Sequence, residues 1–327
     1  MWKSELNTIF QQLRSRKKEE GRYEVEAISD LLPHKLGCTK EGRPIFFVEC
    51  CDSVKQVDIK LSLFTVMYNR PCDIYDNSTG ENYVKPYSVL QLNSDDEEFQ
   101  KYFLDVVYMI LLRLPATPDT TELDSEIKKI ITLFTNAKRP STSAIRGLFA
   151  ELIVIDLAKD PKYLLQSWHV LPNDPFDFND GKDKVEVKSC TKDLRKHTFS
   201  LEQLYTTDGS QLVIASVAVL QTGLGMNVYD LMDRITLKVQ DDINLVIHLR
   251  ECITATVGKY FNEVAEFKFD YGVSEESYAI YNSEIVPKID KTAIPSEITN
   301  VHFSVDFTDL IPADGDTFNS KLIKALL

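Results

Sequence analysis

The spacing of apolar positions changes character several times along this chain, and each change predicts a different element. Residues 2–20 carry apolar positions at helical spacing and end in the charged run Arg14-Ser-Arg-Lys-Lys-Glu-Glu20, which predicts an amphipathic helix. From about 22 to 92 the pattern turns to period two. Strands are expected over 43–50, 56–67 and 82–92, with turns at clusters such as Tyr75-Asp-Asn-Ser-Thr-Gly-Glu81. Residues 97–114 read as a largely buried helix, broken by 115–121, and a second helix follows over about 122–137. A further helix opens at 143 and ends near Lys159, with Ser141 or Ser143 placed to cap its first N–H groups. Beyond it come a strand near 196–200, a short Glu202-Gln-Leu204 helix and the nearly continuous apolar run 211–220. Such an unbroken run is expected of a central strand covered on both faces. Helices over about 226–238 and 240–256 follow, then strands over 263–271, 277–284 and 299–307. The order predicts an α/β (α+β) chain: a β-rich N-terminal domain with a helical connector over 1–138, and a domain over 139–327 whose mixed central sheet is flanked by helices.

The densest chemistry lies in 174–190, DPFDFNDGKDKVEVKSC. Phe176-Asp177-Phe178 and Val185-Glu186-Val187-Lys188 each alternate apolar with charged, so each puts its charges on one face of a strand. Asp180-Gly181 between them predicts a two-residue hairpin turn. With that centre Asn179 pairs with Lys182, Phe178 with Asp183 and Asp177 with Lys184. Glu186 is then the diagonal neighbour of Asp177, roughly 7–8 Å away, and Lys188 lies two residues further on. Phe176, Phe178, Val185 and Val187 point the other way, into a core. Two carboxylates and an amine on one face are the equipment for holding a divalent ion beside a phosphodiester. The competing reading is the charged outer face of an amphipathic hairpin. A register slip of one residue would divide the set between two faces.

The 143–159 helix adds a third carboxylate. The neighbours of Glu151 on the helix surface are Gly147, Leu148, Val154 and Ile155, all uncharged. A carboxylate in such a stripe is costly to bury without a partner. Either an ion shared with the hairpin or an arginine such as Arg146 is expected to supply it.

Read in order, Gly147-Leu-Phe-Ala-Glu-Leu152, Trp168, Asp177-Phe178, Glu186-Val-Lys-Ser189 and Ser200-Leu-Glu-Gln-Leu204 resemble the PD-(D/E)xK nuclease superfamily. More narrowly they are similar to its restriction- and phage-defence-associated "PD-(D/E)xK motif protein" family. The resemblance covers residues 140–210, and 298–310 looks like that family's closing strand. The literal Pro-Asp pair is absent: Phe176 precedes Asp177. Asp174-Pro175 lies close by, which makes Asp174 the alternative first acid.

The resemblance implies a restriction-endonuclease-like core and a divalent-metal-dependent endodeoxyribonuclease of a bacterial restriction or anti-phage system. Its catalytic residues would be Asp177, Glu186, Lys188, Glu151 and Gln203. Mg2+, or Mn2+ in its place, would be held by Asp177, Glu186, the Val187 carbonyl and Glu151. Lys188 would act on the attacking water, and Gln203 would orient water or phosphate or serve as an ordinary helix cap. The partners implied are DNA, a second copy of the chain for cutting both strands, and other defence proteins. The alternative from a different class is a catalytically weak DNA-binding scaffold in a defence complex. The residues do not separate DNA from RNA.

Charge qualifies this picture. The net charge of −13 argues against a simple polyanion binder. Residues 138–203, however, hold 11 Lys/Arg against 10 Asp/Glu, so the acidity lies elsewhere. Lys182, Lys184, Lys188, Lys192, Arg195 and Lys196 are expected to meet backbone phosphates. Without an apolar run of about 18 residues no transmembrane helix is expected, nor does the start of the chain look like a signal region. Cysteines at 38, 50, 51, 72, 190 and 252 show neither CxxC nor zinc spacing, which predicts buried, reduced thiols in a cytoplasmic protein. The five histidines are scattered, and each is expected to be structural.

Overall fold

The structure is a computed structural model and describes residues 2–16, 21–52, 54, 56–135, 139–170, 174–191, 194–207, 209–295, 297–314 and 317–327. The chain divides into two compact units, Met1–Lys138 and Arg139–Leu327. The ends of two expected helices, at 17–20 and 136–137, and Lys192 of the basic run lie outside the described residues.

The first unit contains α1 (Trp2–Ser15), β1 (Tyr23–Ala27), β2 (Lys35–Cys38), β3 (Pro44–Val48), β4 (Ile59–Lys60), β5 (Phe64–Asp76), β6 (Glu81–Leu92), α2 (Glu97–Arg113) and α3 (Thr120–Thr135). Its sheet runs β1-β2-β3-β6-β5-β4, and β1 also pairs in parallel with β5, so five strands close into a ring. Closure removes free strand edges. Val25, Ile45, Phe47, Cys72, Ile74, Tyr87 and Val89 form one buried cluster within it. β2 passes this cluster at Gly37, where a Cβ would come within 2.8 Å of the Phe47 ring. Phe46 and Phe64 point the other way, onto Phe103 and Phe99 of α2 with ring centroids 6.0 and 6.5 Å apart. The strand expected over 56–67 is displaced: β5 starts at Phe64 and runs to Asp76. β1 and β2 are unforeseen: β1 alternates over only five residues, and the four residues of β2 are all buried and do not alternate.

The second unit contains α4 (Thr142–Leu157), α5 (Pro161–Ser167), β7 (Phe178–Asn179), β8 (Lys184–Cys190), β9 (Lys196–Ser200), β10 (Leu212–Ala218), β11 (Gln221–Thr222), α6 (Val228–Val239), α7 (Ile243–Val257), α8 (Phe261–Ala265), β12 (Lys268–Phe269), α9 (Tyr271–Ser277), β13 (Ala279–Asn282), β14 (His302–Asp306) and α10 (Lys321–Leu326). The main sheet is ordered β13-β10-β8-β7 and is mixed, with β10 parallel to β8 and antiparallel to β13. Every residue of β10 is buried, as an unbroken apolar strand requires. Leu212 and Ile214 pack with Phe176, Phe199, Leu204, Tyr281 and Phe307, a cluster to which β9 and β14 contribute as an antiparallel pair. Val213, Ala215 and Val217 alternate to the opposite face. α4 packs against β8 and β10. Its N-terminus is fixed by Ser141, whose hydroxyl accepts the Ala144 N–H at 3.1 Å.

The fold is therefore α+β. The strand expected over 263–271 is instead the helix α8 followed by two residues of β12. α5 is unforeseen; Asp160 caps it and Pro161 opens it. No disulfide forms among the described residues, but Cys51 is exposed and Cys50 and Cys252 only half-buried, so burial holds for Cys38, Cys72 and Cys190 alone. Among the described residues no helix is long and apolar enough to cross a membrane.

Two buried histidines give this fold a pH signature. Burial pushes His34 and His197 down to about 4, while an unfolded histidine titrates near 6.5. Between those values the unfolded chain holds more protons than the folded one, so this contribution to stability is lost as pH falls from about 6.5 towards 4. The loss of unfolding free energy between about pH 7 and 5 is expected to shrink in His34→Asn/His197→Gln, measured by urea titration at each pH.

Candidate active site

The 174–190 hairpin does not turn where its dipeptide predicts. β7 pairs with β8 as Phe178↔Val185 and Asn179↔Lys184, leaving Asp180 to Asp183 as the loop. Gly181 holds φ +93°, and the Asp180 carboxylate accepts the N–H groups of Lys182 and Asp183 at 3.0 and 2.8 Å. The register is thus shifted by two residues from the expected one. A shift of two preserves every face. The ladder stops at Phe178, so Asp177 stands outside it and reaches β8 through its side chain. A second correction concerns Phe176, which packs with Phe199, Leu204 and Ile214 and not beside Phe178 and Val185. The chain is bent there, and alternation holds only within a strand.

Glu186, Lys188 and Gln203 form one hydrogen-bonded set. Lys188 Nζ lies 2.7 Å from Glu186 Oε1 and donates to Gln203 Oε1 at 3.0 Å. Gln203 Nε2 donates to Glu186 Oε1 at 2.6 Å, and Gln203 Oε1 also accepts the Ser200 N–H at 3.0 Å. The ammonium lies over the Phe199 ring, 5.1 Å from its centre. Glu186 is only 2% exposed, and its second oxygen, Oε2, is buried without a hydrogen-bond partner.

The other acids come from α4 and the approach to β7. Asp177 Oδ2 accepts the Val187 N–H at 2.7 Å, on the side of β8 where the β7 ladder has ended. Glu151 Oε2 accepts Trp168 Nε1 at 2.8 Å and lies 2.8 Å from His169 Nε2. Donor atoms of Glu151, His169 and Asp177 all fall within 4.8 Å of one another. Asp174 stands apart: its oxygens accept the Phe176 N–H at 3.0 Å and Asn179 Nδ2 at 2.5 Å, holding the bend.

Burial and neighbouring acids disfavour the charge on Asp177 and Glu186. Burial, then Glu151 and Glu186, raise Asp177 well above the carboxylate range, against the pull of the Val187 N–H and Lys188. Glu186 is pushed up to about 7, chiefly by burial, although Lys188 pulls it down. Burial opposes a charge on His169, but the neighbouring Glu151 carboxylate prevails and raises it. Crowded carboxylates, at least one of them buried, occur where a cation is held.

The structure thus brings Asp177, Glu186, Lys188, Glu151 and Gln203 to one edge of the main sheet. Arg146 is not the partner of Glu151; Trp168 and His169 are. His169 is the residue that sequence reasoning missed. Its signals were adjacency to Trp168 and tolerance of positive φ, since it takes φ +46°. The basic run does not form one track. Lys184 is tied to Asn179, and Arg195 donates to the Ser277 carbonyl at 2.6 Å, while Lys182 and Lys196 are exposed.

Carboxylates, a lysine and a glutamine gather on a mixed sheet, as the motif resemblance leads one to expect. The model of a protein family described as "Putative PD-(D/E)XK family member, (DUF4420)" matches residues 6–308, and the chain belongs to that family. This is the superfamily that the motifs resemble. No curated protein and no solved structure matches the chain.

Proposed function

We propose that the chain is a divalent-metal-dependent endodeoxyribonuclease that hydrolyses phosphodiester bonds in a bacterial restriction or anti-phage system. The observation that carries this reading is the Glu186 Oε2 atom, buried and unpartnered in the neighbourhood of Glu151 and Asp177, of which Asp177 is raised by burial and by the other two acids. That donor set is short of one positive centre. It fits a hard divalent ion, Mg2+ with Mn2+ as substitute, held by Asp177, Glu186, Glu151 and the Val187 carbonyl. In an extended residue the N–H and C=O point to the same side; the Val187 N–H meets Asp177, so its carbonyl shares that side. When bound, the ion supplies Lewis acidity at the scissile phosphate and an activated water.

The chain's own residues do the rest. Lys188 is held between Glu186, Gln203 and the Phe199 ring, where its ammonium offsets charge developing on the phosphate and orients the attacking water. Gln203 fixes the lysine and Glu186 relative to each other through one amide. Lys182 and Lys196, exposed on the same unit, are left to meet the DNA backbone. One such site cuts one strand, so symmetric cleavage of a duplex needs a second copy.

The test is incubation of supercoiled plasmid, linear duplex and RNA with Mg2+, Mn2+ or EDTA. Nicking of DNA with either ion and none with EDTA is expected. DNA binding with no cleavage under any ion would transfer the chain to the scaffold class.

A further inference from the structure

We propose that His169 is a nitrogen ligand of the ion held at this site, and that it tilts the site towards Mn2+ over Mg2+. The inference rests on the metal-dependent reading above and adds a ligand that none of the motifs includes. Trp168, fully buried, donates its ring N–H to Glu151, and its carbonyl meets His248 Nε2 at 2.7 Å. His169 follows it at φ +46°, one of three non-glycine residues with positive φ among the described residues; the others are Asn69 and Asn300. Its backbone N–H donates to the Asp177 carbonyl at 3.0 Å. Its ring lies 5.2 Å from the Trp168 ring, and its Nε2 lies 2.8 Å from Glu151 Oε2. Backbone, ring face and ring nitrogen are thus restrained separately, and together they aim the imidazole at the acids.

The spacing suits one ion. For metal–ligand distances of about 2.1 Å, adjacent octahedral ligands lie about 3 Å apart and opposite ones about 4.2 Å apart. The 2.8 Å between His169 and Glu151 matches an adjacent pair, and the whole set with Asp177 falls within 4.8 Å, a spread that small side-chain shifts bring to the span of opposite ligands. Beside this set, the Oε2 atom of the 2%-exposed Glu186 is buried without a hydrogen-bond partner, an independent sign that a positive ligand is missing here. An imidazole among carboxylates changes the preference of the site. Mg2+ favours oxygen and gives up water reluctantly, whereas Mn2+ accepts oxygen and nitrogen together.

The test compares wild type with His169→Ala and His169→Gln by calorimetry with Mn2+ and Mg2+, and by pulsed EPR of bound Mn2+. Wild type is expected to bind Mn2+ more tightly by about tenfold and to show nitrogen coupling to the ion; both variants are expected to lose the coupling and most of the preference. His169→Gln keeps a donor for Glu151, so a merely structural role would be rescued by it. Mn2+ bound without nitrogen coupling, or a preference unchanged in His169→Gln, overturns the ligand assignment alone. Wild type that binds neither ion overturns the metal-dependent reading, and the ligand assignment with it.

Discussion

Lys188→Ala is expected to lower metal-dependent DNA cleavage by about 10²–10⁴-fold, the range lost when a group acting directly on a proton or developing charge is removed. The substitution also removes the counter-charge of Glu186. Their side chains are 17% and 3% exposed; breaking such a pair costs up to about 3–5 kcal/mol where the remaining charge stays buried, and less where Glu186 takes up a proton instead. The metal-free variant is therefore expected to melt earlier, and Mn2+ or Mg2+ to restore much of the difference by mass action. Lys188→Arg separates the two effects. It keeps a positive charge beside Glu186, but a guanidinium differs in shape and does not deprotonate. It should melt close to wild type and still cleave poorly. Plasmid-nicking rates and thermal melts with and without ion measure both. Nicking by Lys188→Ala at the wild-type rate would remove Lys188 from the chemistry.

How much of this was readable in the chain depends on how local each determinant is. The Ser141 cap and the burial of β10 follow from residues adjacent in sequence, and both are where the pattern puts them. The faces of the hairpin follow from period two, which a two-residue shift cannot disturb. Its register was not local. Asp183 is buried and accepts the Gln211 N–H at 2.8 Å, while the Lys184 N–H donates to the Gln211 carbonyl at 2.9 Å. These contacts reach across to the start of β10 and outweigh the preference of Asp180-Gly181 for a two-residue turn. Gln203 and His169 have the same character. Gln203 meets Glu186 only because the Glu202–Leu204 turn folds back over β8, and His169 meets Glu151 only through the turn after α5. The closed ring of the first unit was hidden for a similar reason, since a parallel β1–β5 pair leaves no mark in local alternation.

Asp177→Asn is expected to stabilise the metal-free protein while abolishing cleavage. In the wild type three acids crowd one corner, Glu186 buried and Glu151 and Asp177 half-buried, and Asp177 is raised by burial, Glu151 and Glu186. A carboxyl whose folded pKa lies above its unfolded value contributes most stability at low pH and loses it as pH rises through the folded pKa. Glu186, at about 7, adds to the same trend. The metal-free wild type should therefore lose stability between about pH 5 and 8 from this corner, in the opposite sense to His34 and His197. Asparagine is the same size, keeps an oxygen for the Val187 N–H and adds a donor facing acceptors. Its melting temperature in EDTA near pH 8 should exceed that of wild type, with each kcal/mol recovered worth roughly 2–4 °C for a unit of this size. The same substitution removes one charge from the cation's donor set, so the rise in melting temperature on adding Mn2+ should shrink or vanish. Calorimetric melts of both proteins, with EDTA and with Mn2+, read both effects at once. A variant less stable than wild type in EDTA would mean that the acids are not in conflict, and an undiminished Mn2+ response would mean that Asp177 is not a ligand. Gain of stability with loss of ion response is the combination that only a strained cation site produces, because a purely structural carboxylate that accepts a backbone N–H has nothing to gain from losing its charge.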